Sequence, residues 1–167
     1  MNRITPLCFA RLDTELGAVL LTSDGEALTG FYFAGQKYHP DLGRCGEERP
    51  DLPLFIRVAE LFGRYLNAEA IDFDVALSWQ GTPFQQQVWG ALLTVPAGTT
   101  ISYRELSVRA GRPSAVRAVG AAVGRNPISV LVPCHRIVGS DGSLTGYAGG
   151  LSRKQRLLEI EAASRRS

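Results

Sequence analysis

The sequence of 167 residues predicts an α/β N-terminal half followed by a mostly α-helical C-terminal half with a helix-turn-helix. The first half combines β-rich runs with one amphipathic helix, whereas the second contains a succession of helix-start patterns. The boundary is predicted near residues 79–81. This divides the chain into a supporting domain over 1–79 and a second domain over 80–167.

The N-terminal elements follow from local patterns. Two β-rich runs flank an Asp-Gly turn at 23–26 and predict a hairpin, and residues 34–51, rich in Gly, Pro and charge, predict a loop. Apolar residues recur at helical spacing over 54–66, and Asn67 fits the end of that helix. Residues 71–77 alternate as in a half-buried strand. No catalytic side chains are concentrated here, so this half is interpreted as support.

Four helices are predicted in the C-terminal half. The first starts at 82–85, which combines a threonine cap, a proline at the first helical position and a capping-box glutamine. The second starts at the capping box 102–105, and a tight glycine turn leads into a third over 114–123. A last helix is predicted over 152–163, with its first residue as cap. The short turn between the second and third helices is typical of a helix-turn-helix.

The third helix indicates a DNA-binding surface. At about 100° per residue, Val116, Val119 and Val123 form one stripe that is expected to face the core. Small residues let a helix approach a groove closely, and arginines suit phosphates. Small residues and arginines both occupy the opposite face, which carries Ser114, Arg117, Ala118, Ala121 and Arg125. The alternative is an Ala-rich helix packed against a neighbouring element.

Composition favours DNA and argues against several other partners. Residues 1–81 contain 7 Lys and Arg against 12 Asp and Glu, and residues 82–167 contain 11 against 4, which favours a polyanion partner for the second half. Three dispersed cysteines argue against a disulfide framework, and His39 and His135 are too few for a zinc site, so no metal or cofactor is predicted. Because neither a membrane span nor a signal pattern occurs, a cytoplasmic protein without a membrane partner is expected.

A reactive pair follows an apolar run. Residues 130–133 predict a buried strand, directly followed by Cys134 and His135. Either the strand merely ends in polar residues, or Cys134 is a nucleophile at the floor of a pocket. A nucleophilic cysteine needs a base, but neighbours on an extended chain point to opposite sides, so a bridging water is one arrangement. A neutral histidine needs a carboxylate partner, and spacing does not choose among Glu105, Asp141, Glu159 and Glu161.

Two turns and one glycine-rich loop surround this pair. Asn126 lies in a turn that leads into the apolar run, where its side chain can bond neighbouring backbone groups. A second turn at 139–143 precedes the loop 144–150, which places Tyr147 among three glycines. Such a loop can bring backbone amides close to a flat ligand, or it can be a plain connector.

The motif Pro133-Cys134-His135-Arg136-Ile137 resembles the active-site signature of the O6-alkylguanine-DNA alkyltransferases. Further motifs at 81–85, 117–120, 126–127 and 147–150 match in the same order, so the resemblance covers about residues 80–162. It implies a winged-helix-like second half. The first half resembles the family's ribonuclease-H-like domain in size and element order.

The resemblance implies single-turnover DNA repair: an O6-alkylguanine is flipped out of duplex DNA and its alkyl group moves to Cys134. O4-alkylthymine is a second candidate substrate. His135, held by Glu161, would activate the cysteine through a water, and Asn126 would order the turn. The Tyr147 hydroxyl would donate to N3 of the guanine leaving group. A monomer on double-stranded DNA is expected, with cooperativity along the DNA left open.

The resemblance also implies roles around the flipped base. Arg117 would fill the gap in the duplex and Tyr103 would crowd the 3′ phosphate. The carbonyls of Cys134 and Ile137 would read the guanine amino group, and the Ala148 amide would face O6. Gly149 completes this base pocket. Ser129 and Thr145 are expected at its rim, where they predict a narrower pocket than in members that accept benzyl groups.

Two other classes compete with this reading. A winged-helix regulator without chemistry would explain the basic half and the helix pair, but not a Cys-His pair in an apolar run. A cysteine hydrolase would need a triad that the chain does not supply from its two histidines.

Overall fold

The computed structural model describes residues 7–166. A mixed β-sheet and one helix form the N-terminal half, and the C-terminal half is helical, as predicted at that level. The first half contains β1 (Cys8–Thr14), β2 (Gly17–Ser23), β3 (Leu28–Phe33), β4 (Glu47–Glu48) and α1 (Pro53–Leu66). The second contains α2 (Pro83–Leu92), β5 (Ile101–Ser102), α3 (Tyr103–Arg109), α4 (Val116–Gly124), β6 (Ile137–Val138) and α5 (Leu151–Arg166).

The N-terminal sheet has the strand order β3-β2-β1-β4. Strands β2 and β3 pair antiparallel across the predicted turn, so the hairpin is confirmed. The Asp24 carboxylate closes that turn by accepting hydrogen bonds from the amides of Glu26 and Ala27. Strand β1, which the sequence did not resolve from β2, pairs antiparallel with β2 and parallel with the two-residue β4. Strand β4 lies inside the segment predicted to be a loop.

The edge of β3 explains why residues 71–77 do not form the predicted strand. These residues alternate between half-buried and exposed as expected, but only Leu77 pairs, in an isolated bridge with Leu28. Further along β3, Phe31 pairs with Ile128 of the C-terminal half. The sheet edge is therefore shared between two segments, and neither has room for a continuous ladder.

The predicted helices are present, with shifted ends. The full capping box at Thr82 starts α2, whereas at α3 only the Ser102 half forms, because Glu105 pairs with Arg109. Helix α4 begins at Val116 rather than residue 114, and α5 begins one residue before its predicted cap. None of the helices between residues 7 and 166 is long and apolar enough to span a membrane.

One hydrophobic cluster joins the two halves. Phe31 and Phe62 of the N-terminal half pack in it with Trp89, Ile128 and Leu157 of the C-terminal half. The Trp89 indole also donates to the Ala122 carbonyl (2.8 Å), which ties α2 to α4. Burial of this shared apolar surface holds the helix pair and the segment after α4 in fixed positions against the sheet.

Candidate active site

The apolar run before Cys134 is a buried turn and not the strand that the sequence predicted. Val130 has φ of 70°, in the left-handed region that β-branched residues rarely adopt. Asn126 holds this turn: its amide donates to the Val132 carbonyl (2.8 Å) and its carbonyl accepts from the Ile128 amide (3.0 Å). The residues are buried as expected, but a short apolar run does not distinguish a buried strand from a buried turn.

Cys134 opens a single 3-10 turn, Cys134–Arg136, and is only 4% exposed. Burial raises the pKa of this thiol, while hydrogen bonding to Asn126 and the positive charge of Lys154 act in the opposite direction. A buried thiol is mainly neutral at pH 7, so it needs a base to become a nucleophile. No hydrogen bond joins the side chains of Cys134 and His135 within residues 7–166.

His135 is fully buried and is oriented by Glu161. Its Nε2 lies 2.8 and 2.9 Å from the two carboxylate oxygens. Burial raises the pKa of Glu161, but hydrogen bonds from His135 and Arg136 outweigh this and bring it to about 2. Burial also lowers the pKa of His135, so the ring is neutral at pH 7. Because an ionised carboxylate only accepts, Nε2 carries the proton and Nδ1 keeps its lone pair.

Nδ1 is therefore the basic nitrogen of His135. The His135 Nδ1 is buried and makes no hydrogen bond with any part of the chain that the structure describes. An unprotonated, unpartnered ring nitrogen can accept a proton directly or through a water. The structure thus places Glu161, out of four candidate acids, where it fixes the tautomer that a general base requires.

Arg136 belongs to the active-site motif, and its contacts make it a positioning residue. Its guanidinium forms a bidentate pair with Glu161, with Nε–Oε1 at 2.7 Å and Nη2–Oε2 at 3.1 Å. Its Nη1 donates to the Val95 carbonyl at 2.6 Å. The active-site turn is thereby fixed both to α5 and to the segment after α2.

Lys154 of α5 is a second missed residue. Its ammonium is buried and donates to the carbonyls of Ile137 (2.5 Å), Thr145 (2.8 Å) and Gly146 (3.2 Å). Burial lowers its pKa to about 8. The three contacts hold the loop 144–149 against β6. A sequence signal existed, since position 154 precedes the buried Leu157 by one helical turn.

Cys134 lies in the wall of a cavity of about 480 Å³. Tyr147 and Ala148 contribute one side, as the resemblance implied, and Tyr103, Ala121 and Arg125 contribute another from α3, α4 and the residue after it. The Tyr147 hydroxyl is buried without a hydrogen bond to the described residues. Lys37 and Tyr38 of the N-terminal half complete the lining. The N-terminal half therefore contributes to the cavity as well as supporting the C-terminal half.

Four residues assigned to the base pocket do not line this cavity: Ile137, Gly149, Ser129 and Thr145. The first two are buried, and Ser129 is buried with its amide bonded to Phe31 of β3, whereas Thr145 is exposed. The placement of Ser129 and Thr145 at the pocket rim stays a prediction. Ser129 neighbours the buried Tyr147, which lines the cavity, and Thr145 directly precedes Gly146, which lines it too.

The predicted DNA-facing side of α4 is exposed. Arg117, Ala118 and Ala121 lie on the solvent side, while Val119 and Val123 are buried and Val116 is half-buried. The Arg117 side chain makes no hydrogen bond or ion pair with residues 7–166, so its guanidinium is available. Ser114, also exposed, precedes the helix.

Two residues predicted to contact DNA also contact other parts of the protein. The Arg125 guanidinium lies 4.1 Å from the centre of the Tyr38 ring. Tyr103 is half-buried, and its hydroxyl reaches the Thr145 carbonyl at 3.5 Å. Both line the cavity that contains Cys134.

Comparison with a family model, with related sequences and with solved structures finds proteins of one kind. A family model described as 6-O-methylguanine DNA methyltransferase, DNA binding domain, matches residues 83–163. A methylated-DNA–protein-cysteine methyltransferase of Mycobacterium tuberculosis is 43% identical over 153 residues, 92% of this chain and 91% of the relative. One of Haemophilus influenzae is 42% identical over 159 residues, 95% and 88%. The crystal structure of Mycobacterium tuberculosis OGT in complex with DNA matches with a TM-score of 0.87 at 40% identity, covering 95% of this chain and 94% of that one.

Proposed function

Because this chain belongs to the methylated-DNA–protein-cysteine methyltransferases, we propose that Cys134 takes the alkyl group of an O6-alkylguanine rotated out of duplex DNA. The observation that carries the proposal is the cavity: Cys134 lies in its wall, and the next residue is a buried histidine with a free ring nitrogen. A base inside the stack is out of reach, so it must be extruded. O4-alkylthymine is a second candidate lesion.

The transfer is a single displacement. The thiol proton moves to His135 Nδ1, through a water, and the Cys134 sulfur attacks the alkyl carbon. The C–O6 bond breaks, its electron pair stays on the guanine, and the Tyr147 hydroxyl stabilises that anion by donating a hydrogen bond or proton. The products are a thioether and unmodified guanine. A thioether is not hydrolysed, so each molecule acts once.

DNA is bound through the α3–α4 pair, which acts as a helix-turn-helix of winged-helix type. The N-terminal half is of ribonuclease-H-like type. The small side chains of Ala118 and Ala121 allow α4 to approach a groove closely, and their exposure supports this. Arg117 enters the duplex where the base has left, and Tyr103 presses on the neighbouring phosphate. A monomer binds one lesion in double-stranded DNA.

Three buried cysteines provide a matched test of the acceptor. Cys134→Ala is expected to bind a duplex containing one O6-methylguanine and to leave the methyl group in place. Cys8→Ala and Cys45→Ala, which remove equally buried thiols of the N-terminal half, are expected to demethylate it at one methyl per molecule. Counting methyl groups lost from the DNA at known protein concentrations measures this. Tight binding by the wild-type protein without transfer would favour the regulator without chemistry.

Arg117→Ala is expected to slow transfer from duplex DNA by about tenfold or more while changing the reaction with free O6-methylguanine by less than about twofold. The free base needs no extrusion, so only the duplex reaction uses the arginine. Single-turnover rate constants for the two substrates measure the difference. The control is Arg64→Ala, which removes the same charge from α1. Equal losses on both substrates would contradict the finger role.

A further inference from the structure

The N-terminal half supplies part of the cavity that contains Cys134. Lys37 and Tyr38 lie in the connection after β3 and line the cavity together with Tyr103 and Ala121. The Tyr38 residue is 51% exposed, so core packing does not explain an aromatic side chain at this position. An exposed aromatic ring at a pocket mouth is instead available to a ligand.

Backbone contacts hold this connection against the active-site loop. The Lys37 amide donates to the Ala148 carbonyl at 3.2 Å. The Arg153 guanidinium bridges the two segments, because its Nη1 donates both to the Ala34 carbonyl (3.0 Å) and to the Gly149 carbonyl (3.2 Å). The distance between Tyr38 and the loop that carries Tyr147 is therefore set by direct bonds.

The backbone and one side-chain contact restrict where the Tyr38 ring can lie. Its backbone has φ of 62°, a left-handed conformation that is costly for an aromatic residue and persists only where neighbours hold it. The Arg125 guanidinium lies 4.1 Å from the ring centre, in cation–π contact. Arg125 directly follows α4, so the ring spans the gap between the N-terminal half and the DNA-facing helix.

We propose that Tyr38 is a specificity-determining residue of the alkyl-transfer site, whose ring forms the outer wall of the cavity and limits the size of the O6 substituent that reaches Cys134. The inference rests on the proposed function, since it concerns the same site. A restriction on substituent size was expected from Ser129 and Thr145, which do not line this cavity. We assign that restriction to Tyr38, which does line it. A pinned ring excludes bulk that a freely rotating side chain would admit.

The test compares two substrates in two variants. The measured quantity is the rate constant for O6-benzylguanine divided by that for O6-methylguanine, both as free bases. For Tyr38→Ala this ratio is expected to rise by about tenfold, which is the lower end of the selectivity change that a small change in the size of an apolar pocket produces. Tyr38→Phe keeps the ring and is expected to keep the wild-type ratio. Free bases remove DNA binding from the comparison. Thermal unfolding of both variants checks that the fold is intact.

The outcomes separate this inference from the function on which it rests. Absence of methyl transfer from O6-methylguanine in duplex DNA by the wild-type protein would overturn the proposed function. Transfer by the wild type with an unchanged or lower ratio in Tyr38→Ala would overturn only the role of Tyr38. A raised ratio in Tyr38→Phe would assign the effect to the hydroxyl and overturn the steric wall. Ile56→Ala, which removes a side chain of similar exposure from α1, serves as the control.

Discussion

Replacing Glu161 with glutamine is expected to slow alkyl transfer by about 100-fold or more and to lower the free energy of unfolding by about 3 kcal/mol. Glutamine has nearly the same shape, so the change removes charge rather than volume. The Arg136 guanidinium then loses its carboxylate in a mostly buried position. The amide can also offer its NH₂ group to Nε2 of His135, which would place the imidazole proton on Nδ1, where the base is needed.

The pH dependence gives the Glu161 prediction a second readout. Its folded pKa of about 2 lies below the usual 4.5, so its stabilising contribution is complete above about pH 4.5 and is lost as pH falls toward 2. His135 also has a lowered pKa, so its contribution is lost as pH falls below its usual 6.5. The wild-type protein should lose stability across both intervals, and Glu161→Gln should lose little in the lower one. Denaturant unfolding from pH 7 to pH 2 measures both.

Glu159→Gln is the matched control, because Glu159 lies on α5 two residues away and is exposed. It is expected to change the free energy of unfolding by less than about 0.5 kcal/mol and to leave transfer intact. If Glu161→Gln reacted at the wild-type rate, the proton-transfer role of the His135–Glu161 pair would be contradicted, whatever its stability.

Asn126→Ala is expected to destabilise the protein by about 2–4 kcal/mol and to reduce transfer strongly. The side chain is buried, and its loss leaves the Val132 carbonyl and the Ile128 amide without partners. The left-handed conformation of Val130 then loses its restraint, and Cys134 loses its fixed position in the cavity wall.

Two variants locate this effect. Asn126→Asp keeps an acceptor for the Ile128 amide but turns a buried carboxylate oxygen toward the Val132 carbonyl, so a loss of stability at least as large as that of Asn126→Ala is expected. Asn67→Ala changes an exposed asparagine at the end of α1 and should cost less than about 0.5 kcal/mol. Urea unfolding at pH 7 measures all three. An Asn126→Ala protein as stable as the wild type would show that the turn does not depend on these bonds.

Local chemistry explains which elements could be predicted. The capping box at Thr82, the stop at Asn67 and the bonding capacity of Asn126 involve partners within six residues, so sequence determined them directly. The strand predictions for 71–77 and 130–133 were wrong because the conformation of these segments depends on how the edge of β3 is shared. Period and burial alone do not carry that information.

The active site was predictable in its reactive residues and not in its supports. Cys134 and His135 adjoin in a recognisable motif, whereas the choice of Glu161 needed α5 to fold back before its carboxylate could meet the ring. Lys154 lies beyond the motif, and Tyr38 lies in the other half of the chain. Their roles arise from tertiary contacts between segments far apart in sequence.

Mass spectrometry after incubation with excess duplex DNA containing one O6-methylguanine tests the central claim most directly. We expect each protein molecule to gain the mass of one methylene and no more, and peptide mapping to place it on Cys134. Molecules already methylated should not react again. A gain on Cys8, Cys45 or another residue, a gain of more than one methylene, or no gain at all would contradict the account.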